Sequence, residues 1–314
     1  MACLVFVAGI ALPVAAEEKA DDKTAEKPSG PAINLRGNSP AELMYGIIMA
    51  NFANRSLDGM EQSILAIIEE SDAKDPVRLR LVMALAKLGK PEAKKALDYL
   101  ESWTDTFREP DEAMRICNMG DLCLYYLDDP QEAAKMYKAA VTRIPELRPH
   151  LYSSLFTLYA NHRKMFSIPE MKRYLNLQGE FEVDFRYYIN RATVLAADGY
   201  TVEAKKYAEF IDERTAEDGD AIGRTYAAPI WGWLGNTEKV VANLEPGLKE
   251  QALYYAPAGF RLYCDWLRQS PAYDAIRENR EFKDMWERLY VFEPEGRGST
   301  ITVPRAREEQ VSEK

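Results

Sequence analysis

Between residues 40 and 290, apolar residues recur three and four positions apart, and strict alternation is absent. Leu43, Ile47 and Ile48 follow this spacing, as do Ile64, Leu65, Ile67 and Ile68, and again Ala133, Tyr137 and Ala140. Each set therefore falls on one face of an α-helix. Short breaks separate the sets: Leu88-Gly89-Lys90-Pro91, Asp128-Asp129-Pro130, Ala197-Asp198-Gly199-Tyr200 and Leu234-Gly235-Asn236. Gly at such a turn tolerates the left-handed backbone that closes a helix. Pro130 suits the first position of the next helix, where its missing N–H would be unpaired anyway. The region is rich in Ala, Leu, Glu and Lys, all strong helix formers. The pattern predicts an all-α fold of about thirteen to fifteen antiparallel helices. Pro229 interrupts one helical stretch, Ala221 to Trp233, and predicts a kink there.

The breaks return at a regular phase. The clearest unit is 114–147: a first helix from Met114 to Leu127 with Cys117, Gly120 and Leu124 inward, then a second helix carrying Ala133, Tyr137 and Ala140. Pro145 ends that second helix. Residues 74–107 repeat the phase with Glu92-Ala93, Leu97 and Leu100, residues 185–218 with Glu203-Ala204, Ala208 and Ile211, and residues 221–254 with Val240 and Leu244. Weaker units are 41–73, then 148–182, whose second helix starts late after Pro169, and 255–290, which closes with Pro271 to Arg277 followed by Phe282, Trp286 and Leu289. Ala133, Tyr137, Ala140 and Pro145 together resemble the second-helix signature of the tetratricopeptide repeat (TPR), a helix-turn-helix unit of about 34 residues. The resemblance implies an α-solenoid of antiparallel helix pairs, a TPR-like superhelix over residues 40–292. Such solenoids usually bind partners. The match departs from the family pattern where an aromatic is expected early in each first helix: Cys117, Leu151, Tyr188 and Arg224 stand there. A short insertion also separates the units at 74–107 and 114–147, so the array is expected to be irregular. The alternative architecture is another α-solenoid, with helix pairs but different curvature.

The ends differ in composition. Leu4 to Val14 is apolar except for Gly9 and Pro13, and Val14-Ala15-Ala16 offers small residues for cleavage before Glu17. This pattern predicts a signal peptide over 1–16 and a periplasmic or secreted product, although no Lys or Arg precedes the run. The alternative is a buried N-terminal helix. The run is too short to span a bilayer, and no other segment is apolar enough, so the mature chain is expected to hold no integral membrane segment. Residues 17–39 mix charges with Pro28, Ser29, Gly30 and Pro31, and predict a disordered linker. Residues 293–314 read the same way and predict a disordered C-terminal tail.

Charge and chemistry narrow the classes. A net charge of −10 argues against a nucleic-acid partner, which needs a basic face. Of the four cysteines, Cys117 and Cys123 fall on one helix, about 9 Å apart along its axis and on different faces, too far for a disulfide. Cys264 is distant in sequence, so buried free thiols are expected. His150 and His162 are the only histidines, and neither has a carboxylate or Cys at ligand spacing. Gly296-Arg297-Gly298 lies in a charged tail rather than between a strand and a helix, so it is no phosphate loop. No metal, cofactor or catalytic residue is expected.

The remaining signal is aromatic. In the TPR family, partners usually lie on the concave face, which first helices line. The resemblance carries Arg115, Asn118, Tyr125 and Tyr126 to that face from one unit, Tyr152, Phe156 and Tyr159 from the next, and Arg186 and Asn190 from the one after. Tyr and Arg are enriched at binding hot spots. The alternative is that these rings pack between repeats. The family's dicarboxylate clamp, which needs Lys and Asn at fixed positions, is matched only loosely by Arg115, Asn118, Arg186 and Asn190. The functional expectation is a non-enzymatic scaffold or adaptor of the cell envelope that binds a peptide or protein subunit in a concave groove. The competing class is an accessory or catalytic α-solenoid domain of an envelope enzyme system.

Overall fold

The computed structural model describes residues 40–54, 56–104, 106–143, 148–181 and 183–294. The leader, the linker, Pro145 and the C-terminal tail from residue 295 onward fall outside the described residues. Fifteen α-helices follow one another, and no strand occurs among the described residues. They are α1 (Pro40–Ala53), α2 (Met60–Glu70), α3 (Val77–Ala86), α4 (Lys90–Ser102), α5 (Asp111–Tyr125), α6 (Pro130–Arg143), α7 (Arg148–Asn161), α8 (Ile168–Gly179), α9 (Phe185–Ala197), α10 (Thr201–Glu217), α11 (Ala221–Arg224), α12 (Ala228–Trp233), α13 (Thr237–Ala252), α14 (Pro257–Arg268) and α15 (Arg280–Tyr290). A 3₁₀ turn, Pro271–Ile276, precedes α15.

Helices pack in sequential pairs: α3 with α4, α5 with α6, α7 with α8, α9 with α10. The second helix of each pair then meets the first of the next. Small residues allow the close approach within a pair. Ala93, Ala133, Ala140, Ala204 and Ala208 are fully buried. In the α5–α6 pair a Cβ added at Gly120 would stand 2.7 Å from the Tyr137 ring. The Tyr137 hydroxyl donates to buried Asp121 Oδ1 at 2.5 Å, a charge-assisted bond that locks the ring in place.

Two of the three glycine turns use the left-handed backbone the sequence implies, and Asp128 at the fourth turn adopts it as well. Asp128, Gly199 and Gly235 have φ of 56°, 88° and 70°. Asp tolerates that region because its short side chain bonds locally. Gly89 does not share it, since its backbone is extended. Its lack of a side chain serves packing instead: an added Cβ would meet Ala258 at 3.4 Å and Glu92 Oε2 at 3.0 Å. Pro229 breaks the helix rather than kinking it. The stretch becomes α11 and α12, with Pro229 in the first turn of α12, where no donor is lost. Residues 271–276 form a 3₁₀ turn in place of an α-helix.

The feature the repeat pattern does not foresee is a long-range return. Helix α14 packs on α4 and α5, and the 3₁₀ turn packs on α7 and α12. The Ala256 N–H donates to the Lys87 carbonyl at 3.1 Å. Next to it, a Cβ on Gly259 would stand 1.9 Å from that same carbonyl oxygen. Trp266 sets its ring 4.6 Å from that of Tyr125, nearly perpendicular at 82°, and Ser270 Oγ donates to Asn161 Oδ1 at 3.1 Å. An edge-on aromatic pair adds about 1 kcal/mol beyond its buried area.

Gly259→Ala tests this return. The new methyl collides with fixed backbone rather than with a movable side chain, so stability should fall by more than about 2 kcal/mol in chemical denaturation. A loss below about 0.5 kcal/mol, the size of an ordinary surface substitution, would mean that the two backbones do not approach as described.

Candidate functional site

The structure places most of the residues expected on a partner-binding face inside the packing. Arg115 holds Glu112 with two bonds, Nε to Oε2 at 3.0 Å and Nη2 to Oε1 at 2.7 Å, and its Nη1 donates to the Leu100 carbonyl at 2.6 Å. Both side chains are buried, and removing one partner of such a pair costs about 3–5 kcal/mol, which suits a structural role. Asn118 Nδ2 donates to the Leu79 carbonyl at 3.3 Å. Tyr125 lies against Trp266, and Tyr126 hydrogen-bonds Tyr255. Tyr159 stacks on Tyr174 with centroids 5.7 Å apart and planes 12° from parallel. Tyr152 sits 6.2 Å from Tyr174 and 6.1 Å from Phe181. These six residues and the buried Phe156 therefore form no open strip. The physical reason is the return of α14 and the 3₁₀ turn, together with Tyr174 of α8 and Phe181 just beyond it.

Phe156, Arg186 and Asn190 do come together. They line a cavity of about 220 Å³ between α7, α9 and the α11–α12 segment, along with Ser153, Thr157 and Tyr226. Asn190 Nδ2 donates to Ser153 Oγ at 3.3 Å and to Gln178 Oε1 at 2.8 Å, so its amide is fixed. Burial raises the Tyr226 phenol above its ordinary range, and the Arg186 charge acts in the opposite direction. Asp184 caps α9, its Oδ1 accepting the Tyr187 N–H at 2.8 Å.

A second surface escaped the sequence reading. Phe181, Val183, Phe185, Tyr188, Tyr200, Val202 and Phe210 are exposed, and only Met44 and Val291 join them as large exposed hydrophobics among the described residues. Val183, Phe185, Tyr188, Tyr207 and Phe210 border a hollow of about 680 Å³ on α9 and α10, edged by Asp184, Glu203 and Lys206. The Phe185 and Phe210 rings stand 6.4 Å apart, and Tyr188 stacks on Tyr207 at 6.3 Å. A signal was legible. Ala204, Ala208, Ile211 and Thr215 form the buried face of α10, and Phe210 is out of phase with them.

The titratable groups elsewhere are structural in character. Cys117, Cys123 and Cys264 are buried free thiols. Burial is the main cause that raises all three thiols, Cys123 to about 12, which suppresses the reactive thiolate. His162 Nε2 lies 3.0 Å from Asp128 Oδ1, and Lys164 Nζ donates to Asp128 Oδ2 at 3.0 Å. Burial pushes the Asp128 carboxyl up, but these hydrogen bonds outweigh it and hold the group below its ordinary range. Among the described residues no three His, Cys, Asp or Glu side chains converge at metal-binding distance, and no helix is long and apolar enough to cross a membrane. No family model, characterised protein or solved structure matches the chain.

Among the described residues, Lys87 is the one buried cation whose protonation burial strongly disfavours. It is 2% exposed, its Nζ lies 5.3 Å from the centre of the Tyr255 ring, and burial lowers its pKa to about 7. The unfolded chain, with an ordinary lysine, binds the proton up to a much higher pH. Stability should therefore rise as pH climbs from 7 to 9, by about 2 kcal/mol from this group, and fall as the buried amine becomes charged. Lys87→Met keeps the apolar stem and removes the amine. Denaturant unfolding of the variant should lose that slope and match or exceed the parent at pH 7. Parallel pH profiles for the two proteins would show that Lys87 does not titrate in this window.

Proposed function

We propose that the chain is a non-enzymatic scaffold built from TPR-like helix pairs, acting in the cell envelope, that holds a protein partner by an exposed aromatic patch on α9 and α10. The single observation that carries this reading is the clustering of exposed apolar side chains between residues 181 and 210. Soluble chains scatter such residues singly, and a contiguous patch rimmed by polar groups marks an interaction surface. The sequential helix pairs support a solenoid, and the apolar run before residue 17 supports the envelope location. The partner surface differs from the concave strip the TPR resemblance implies, because the chain's own C-terminal elements pack over part of that face.

The patch suits an apolar, aromatic-accepting segment of a protein. Its rings are half-exposed, already positioned by one another, and bordered by both charge signs, Lys206 and Glu203. Aromatic anchors in such hollows carry most of the energy at protein interfaces.

A photo-crosslinking residue at Phe210, expressed in the native host, should give one discrete adduct, while the same residue at exposed Val291 gives none. Phe185→Asp with Phe210→Asp should abolish that adduct, reported from Tyr188, and leave the melting temperature within about 3 °C of the parent. Equal adducts from both positions, or an adduct that survives the double substitution, would defeat the reading.

A further inference from the structure

The cavity between α7, α9 and the α11–α12 segment has features that packing alone does not use. Arg186 and Asp184 stand at its lining, two residues apart, and neither takes part in an ion pair among the described residues. The polar contact of Arg186 is with a ring nitrogen, its Nη1 lying 3.4 Å from His150 Nδ1. Asp184 commits Oδ1 to the helix cap, and its Oδ2 makes no hydrogen bond among the described residues. Deeper in, Thr157 is 5% exposed, and its hydroxyl has no hydrogen-bond partner among the described residues. Tyr226 lines the same space, and its hydroxyl likewise makes no hydrogen bond among the described residues. The apolar lining is Phe156, Ile189 and Pro229.

The geometry points to a binding site for a small zwitterion, a free α-amino acid with an apolar or hydroxyl side chain. Its carboxylate meets the Arg186 guanidinium and the Thr157 and Tyr226 hydroxyls. Its ammonium meets Asp184 Oδ2. Its side chain rests on Phe156, Ile189 and Pro229. A cavity of about 220 Å³ has room for a molecule of amino-acid size, since about 10–15 Å³ of such space already admits one water. A peptide end carries only one of the two charges and would leave the other charge of the site unmatched. A simple anion is also disfavoured at long range by the net charge of −10, whereas a zwitterion is not. The site is separate from the α9–α10 patch, although Phe185 borders both. It needs no protein partner, so the two readings fail independently.

Isothermal titration of the purified chain with L-leucine, L-phenylalanine and L-threonine tests the site, each compound run beside its N-acetyl and methyl-ester forms. At least one free amino acid should bind, and each blocked form of it should bind at least about tenfold more weakly, one charge having been removed. Arg186→Met and Asp184→Asn should each weaken binding by about tenfold or more. Asn still caps a helix, so the second variant keeps its fold, and circular dichroism with the melting temperature confirms that. Thr157→Val should weaken binding while leaving the melting temperature unchanged or higher. Binding of blocked and free forms with equal affinity, full binding by either charge variant, or no binding by any of the three amino acids would overturn the proposal.

Discussion

The fold depends on a close approach of two backbones. The Lys87 carbonyl, just past the end of α3, receives the Ala256 N–H and lies against the first turn of α14 at Gly259. Only a residue without a side chain fits there. Once α14 is seated, Trp266 covers Tyr125, Tyr255 covers Tyr126 and Lys87, and Tyr263 stacks between Tyr255 and Trp266. Tyr255 and Tyr263 are almost wholly buried in this contact, and that burial raises their phenols well above the ordinary range. The approach that seats α14 therefore also shuts the Lys87 amine away from water.

This contact decides which surfaces are left to function. The helix pairs bury their own faces through Ala133, Tyr137 and their counterparts. The returning C-terminal elements then take up Tyr125, Tyr126 and Asn161. Further along, α9 and α10 have no such cover, and their rings reach solvent. The cavity beside Arg186 lies at that transition, where the 3₁₀ turn and α12 flank α7 and α9 without filling the space between them. The candidate sites are thus what the packing leaves open.

The local half of this structure was legible in the sequence. Ala133, Tyr137 and Ala140 lie four and three residues apart, and helix geometry alone brings them to one buried face. Asp128 and Pro130 mark a turn for equally local reasons. The non-local half was not. Nothing near Gly259 distinguishes a residue lying on a carbonyl about 170 positions earlier from an ordinary helical glycine. Tyr125 reads the same whether it faces water or Trp266, so its place on the first helix was visible and its burial was not. Gly89 shows the same limit, since its position in a turn was legible and its role in admitting Ala258 was not. Phe156, Arg186 and Asn190 were placed on neighbouring first helices, but the cavity they share also needs Tyr226 and Pro229, which reach it only because Pro229 splits that helix.

Native-state hydrogen exchange tests the central claim most directly. If α14 is an integral part of the core, its amides from Phe260 to Leu267 should exchange with the same opening free energy as those of α5 from Cys117 to Tyr125, and both should shift together with denaturant. Exchange of the α14 amides through a separate, lower-energy opening, while α5 stays protected, would contradict the account and make the C-terminal return a detachable segment.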